Sequence, residues 1–97
     1  MKVKINSFGS IISEKAIGAK IYSEISSSLK EQEAVNIDFI GVVSMATFCA
    51  KQIFGRLYIE MGADNFFERI KLLNVSEDLQ IIIKMGIQNA IEENNCN

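Results

Sequence analysis

The sequence predicts an α/β fold, a small, mainly parallel sheet with packed helices in the order β-α-β-α-β-α. Three observations carry this expectation. Residues 2–6, 34–39 and 70–75 show the alternation or the β-branched richness of strands. The segments between and after them repeat apolar residues at helical spacing. Each gap between strands is long enough for a crossover helix, which makes parallel pairing with right-handed connections the expected topology. With 97 residues, 48% of them hydrophobic, the chain can bury one core, so residues 1–97 read as a single domain.

The first strand alternates Lys2 and Lys4 with Val3 and Ile5 until Phe8, Gly9 and Ser10 break it. Ser13 is a candidate N-cap for a helix over 13–29, with Ile17, Ile21 and Ile25 at four-residue spacing. The run 34–39 is a central strand with Asp38 near its end. After a turn through Gly41, Ser44 is a candidate cap for a second helix that runs to Met61, where Gly62 supplies the stop. Ile70 opens the third strand. Ser76, followed by Glu77 and Asp78 at the positive end of the helix dipole, starts the last helix, whose tail 92–95 is expected to fray. Three strands make a narrow sheet, so either a further short strand around Ile11 and Ile12 or a second protomer should complete it.

Ten Lys and Arg against twelve Asp and Glu give a net charge of -2, too little positive charge for nonspecific binding to nucleic acid. The absence of His, Pro and Trp removes the commonest general base and the commonest zinc ligand. Cys49 and Cys96 form no CxxC pair, and reduced thiols are the plain reading. The N-terminus has no apolar h-region, and the longest uncharged run, 39–50, is far short of a span, so a soluble, cytoplasmic protein is expected. No GxxxxGK[ST], GxGxxG or GxSxG motif occurs. Catalysis, metal and cofactor are therefore not expected.

In an open parallel sheet, ligands and partners meet the loops at the carboxyl ends of the strands. Those loops carry Asp38, Gly41, Ser44, Thr47, Asn74 and Ser76. Asp38 and Asn74 end the second and third strands and could lie side by side near two helix N-termini that attract anions. The plainer use of the same residues is to bond local loop amides and to cap helices. If a phosphate is added, Thr47 or Ser44 is the expected site, in the first turn of the second helix. On that helix Ala46, Cys49, Ala50, Ile53, Phe54, Leu57 and Met61 make one core face. Phe48, Gln52, Gly55 and Ile59 fall outside it as a separate stripe, read either as an interface for a second chain or as packing inside the domain.

The stretch Ile37-Asp38-Phe39-Ile40-Gly41-Val42-Val43-Ser44-Met45 resembles the strand, loop and helix start of STAS domains, the fold of anti-sigma factor antagonists. The nearer resemblance is to the STAS-like family of unknown function, through Asp38-Phe39-Ile40-Gly41-Val42, Ala50-Lys51-Gln52-Ile53-Phe54-Gly55 and Leu72-Leu73-Asn74-Val75-Ser76. The pattern extends over about residues 8–91. In antagonist STAS domains the phosphorylated serine matches Phe48 here, with Thr47 just before it. The resemblance implies a non-catalytic domain in bacterial signalling that docks a protein partner, an anti-sigma-type or kinase-like ATPase, through the loop 41–47 and the helix that follows. Two further readings stand beside it: a small-molecule or nucleotide sensor using Asp38 and Asn74, and an obligate homodimeric scaffold.

Overall fold

The computed structural model describes residues 2–95, so Cys96 lies outside the described residues. In chain order the elements are β1 (Lys2–Lys4), β2 (Ile11–Ile12), α1 (Lys15–Glu31), β3 (Val35–Asp38), β4 (Ser44–Met45), α2 (Thr47–Ala50), α3 (Arg56–Met61), α4 (Ala63–Arg69), β5 (Ile70–Leu73) and α5 (Glu77–Asn95). A 3-10 turn, Ile5–Phe8, follows β1, and a π-helical turn, Lys51–Gly55, joins α2 to α3.

The main sheet has the order β1-β3-β5, all parallel, as expected. Val3 pairs with Ile37 and Ile37 with Leu72; one row along, Lys2 pairs with Asn36 and Asn36 with Lys71. Side chains alternate across a strand, so this register sorts them into two faces. Val3, Val35, Ile37 and Ile70 are buried and Leu72 packs against them, whereas Lys2, Lys4 and Lys71 are exposed. Sequential order with crossovers of one hand puts the connecting helices on the same side. The result is two layers, with Ile21 and Ile25 of α1, Ile53, Phe54 and Leu57 of 47–61, Phe66 of α4 and Leu79 and Ile83 of α5 in the same core cluster as the apolar strand face.

The extra strand expected around Ile11 and Ile12 is present, but it does not join the main sheet. It pairs in parallel with β4, Ile11 opposite Ser44 and Ile12 opposite Met45. The Val43 amide donates to the Ser10 carbonyl and the Ala46 amide to the Ile12 carbonyl, at 2.7 and 2.8 Å. These bonds hold the chain extended through Ala46 (φ -66°, ψ 141°), so Ser44 belongs to a strand and does not cap the helix, which begins at Thr47. Ser13 is likewise no cap: Glu14 is still extended and α1 starts at Lys15 without a side-chain cap. Ser76 does cap α5, accepting from the Leu79 amide at 3.2 Å. That helix continues to Asn95 instead of fraying from residue 92, with Glu93 paired to Lys51.

Two further departures have local causes. Strand β5 stops at Leu73 because Asn74 turns into the left-handed region at φ 55°, which Asn tolerates better than most residues. The stretch after Gly62, to which the sequence pattern assigned no element, forms α4, whose Phe66 and Phe67 stack edge-on against Tyr58 with centroids 5.5 and 6.1 Å away.

Candidate functional site

Strands β3 and β5 end side by side, and the carboxylate of Asp38 is held where they end. Its Oδ1 accepts from the Asn74 Nδ2 at 2.9 Å and from the Ile40 amide at 3.0 Å; its Oδ2 lies 3.7 Å from the Lys2 ammonium. The Asn74 amide, then the Ile40 N–H, and more weakly the Lys2 charge hold its carboxyl below the usual carboxylate range, against the opposing effect of burial. The pair foreseen in the sequence is therefore real, and the carboxylate is spent on tying loop 39–41 to β5 and β1. Gly41 turns the same loop at φ 81°, and a Cβ there would meet the Asn6 side chain at 2.9 Å.

Loop 39–43, β2 and the start of α2 expose large apolar side chains. Ile11, Ile40, Val43 and Phe48 are 61, 60, 72 and 47% exposed. They stand on segments that the β2–β4 pairing and the Val43 to Ser10 bond tie together. Ser44 is exposed among them, and Thr47 is half-buried at the first helical position. The sequence singled out the polar members of this rim and passed over Ile11, Ile40 and Val43. The available signal was that Val42 and Val43 are consecutive, so an extended chain can turn only one of them inward.

The four stripe residues do not stay together. Gly55 closes the π turn Lys51–Gly55, where this segment crosses α5. It is buried there, and an added Cβ would meet the Ala90 Cβ at 2.7 Å and the Gly86 carbonyl oxygen at 2.9 Å. The close backbone approach that this glycine allows is made by α5 of the same chain, so Gly55 is withdrawn from the candidate interface. Gln52 is half-buried and donates from Nε2 to the Lys15 carbonyl at 2.9 Å. Phe48 and Ile59 remain exposed and line an open depression of about 700 Å³ together with Lys15, Lys51 and Arg56.

Arg56 also lies 4.1 Å over the Tyr22 ring and pairs with Glu60, which accepts from the Tyr22 hydroxyl. Burial and that bond to Glu60 raise the Tyr22 pKa. Cys49 is buried, and burial pushes its thiol up, the opposite of what activates a nucleophile. The rim consists of apolar side chains on hydrogen-bonded segments beside two hydroxyls, Ser44 and Thr47. Among the described residues no helix is long and apolar enough to cross a membrane.

Searches for similar curated proteins and solved structures found no match. A family model described as a STAS-like domain of unknown function (DUF4325) matches residues 18–80, from the first half of α1 through β3, the loop 39–46, the π turn and β5 to the first turn of α5. The match contains the Asp38–Asn74 pair and most of the apolar rim, and with it the chain belongs to the family of STAS-like domains of unknown function.

Proposed function

We propose that this domain is a non-catalytic regulatory module of bacterial signalling that docks a protein partner through the rim of loop 41–47 and the start of the helix that follows. One observation carries the reading: Ile11, Ile40, Val43 and Phe48 present large apolar side chains to water on a scaffold whose loops are fixed by hydrogen bonds. An exposed apolar group gains nothing from folding, and a rigid apolar surface loses little entropy when a partner covers it. The STAS-like scaffold makes an anti-sigma-type or kinase-like ATPase the partner to try first. Thr47 and Ser44 stand in or beside the rim, so a phosphate on either would place about two negative charges against an apolar partner surface and weaken docking.

The test is co-elution of the purified chain with a kinase-like ATPase encoded beside it. Wild type should co-elute, while Ile40→Asp and Val43→Asp should not, with melting of the free domain unchanged. Co-elution that survives both substitutions would place the contact elsewhere.

A further inference from the structure

The face of the main sheet turned away from the core carries Lys2, Lys4, Asn36, Asp38, Lys71 and Leu73. All-parallel sheets are ordinarily covered on both faces, yet on this one all three lysines are exposed, Asn36 and Leu73 are half-buried, and of the six only Asp38 is buried. Register sets Lys2, Asn36 and Lys71 in one row across the three strands, so the outer two α-carbons stand about 10 Å apart. Lys4 begins the next row beside Asp38, whose carboxylate is already held by Asn74, Ile40 and Lys2. A chain with a net charge of -2 thus concentrates three lysines and one engaged carboxylate on its uncovered face.

We infer that this bare sheet face docks an acidic protein segment, whose carboxylates meet Lys2, Lys4 and Lys71 while its backbone or amides meet Asn36. The surface lies on the side of the sheet opposite the helices and is independent of the apolar rim. Charge decides the occupant. A second copy laid face to face would set the same lysines against each other. A single-stranded nucleic acid would want aromatic side chains on which bases stack, and this face has none. Carboxylates complement the lysines in sign and need no stacking platform. Half-buried Leu73 gives the segment one apolar contact.

The experiment titrates the full chain with a short poly-glutamate peptide and follows backbone amide shifts at low and physiological salt. Three substitutions on the face, Lys2→Gln, Lys4→Gln and Lys71→Gln, are compared with three on exposed helix positions, Lys20→Gln, Lys30→Gln and Lys84→Gln, which change net charge equally. The expected result is saturable binding, with shifts on β1, β3 and β5, weakened by added salt. The face variant should bind about tenfold more weakly and the helix variant like wild type. Equal loss in both variants, absence of saturation, or tighter binding of a single-stranded oligonucleotide at the same amides would overturn the inference. So would self-association of the face variant with peptide binding retained, which would make the lysines guards of the sheet edges.

Discussion

The segment 47–61 meets two different surroundings. Across its π turn it crosses α5 so closely that glycines are required: a Cβ on Gly86 would lie 2.6 Å from the Lys51 amide nitrogen and 2.7 Å from the Ala50 carbonyl carbon. At its beginning, after loop 41–47, the same segment shows Phe48 to solvent, as the loop before it shows Val43 and Ile40. Both regions are apolar, but only the first is explained by folding. On the function proposed above, the difference separates residues that hold the domain together from residues available to a partner.

The largest effect that could break this comparison is at the crossing. In Gly86→Val the obstructing atoms are backbone, which cannot rotate away, so the cost should be about 3 kcal/mol or more in urea unfolding. Gly55→Leu should also destabilise the isolated domain, since Ala90 and Gly86 occupy the space. A wild-type midpoint for Gly86→Val would mean that the helices stand further apart than described. In the strand layer beneath, Ile37→Ala should cost about 2–5 kcal/mol, because Ile37 is fully buried between β1 and β5.

A smaller loss is expected at Arg69. Its guanidinium donates to the carbonyls of Leu29, Gln32 and Glu33 at 2.6, 3.2 and 3.0 Å, which satisfies the end of α1 and the residues just after it from the last residue of α4. Arg69→Ala should cost about 1–2 kcal/mol and raise amide exchange selectively at the last turn of α1 and the connection to β3. Uniform exchange changes would show that the residue acts through charge alone.

Asp38 sharpens the comparison through pH. Its folded pKa lies below the unfolded value of about 3.9, so its contribution is fully present above that pH and is lost as pH falls through the depressed value. The stability difference between wild type and Asp38→Asn should therefore be constant near neutral pH and shrink below about pH 4. A difference that grows on acidification would reverse the sign of the shift and with it the role of the Asn74 amide.

Much of this was legible before any coordinates. Alternation in 2–6, the β-branched run at 34–39 and the register of Ile17, Ile21 and Ile25 are local patterns, and they placed the three parallel strands and α1. The Asp38–Asn74 pairing was legible because parallel topology brings strand ends together. What was hidden depends on contacts between distant segments. Ser44 looks like a cap until Ser10 and Ile12 are known to hold residues 43–46 extended. Gly55 looks solvent-facing on an α-helical wheel, and only the crossing with α5, at Gly86 and Ala90, buries it. Arg69 carries no signal of its own, because its partners lie 36–40 residues earlier in the chain.

The smallest expected effect lies at the rim, and it bears most directly on function. Val43 is 72% exposed and sits just before β4; its amide bond to Ser10 involves only the backbone. Val43→Asp keeps that bond and leaves the core untouched, so unfolding free energy should change by no more than about 0.5 kcal/mol. Docking should respond very differently, since a carboxylate forced into an apolar contact must lose its water without gaining a partner. A surface valine that only closed the loop would behave in the opposite way, destabilising the domain when replaced and leaving association intact. Measuring both quantities on one variant therefore decides whether the apolar rim belongs to the fold, as the Gly86 crossing does, or to a second molecule.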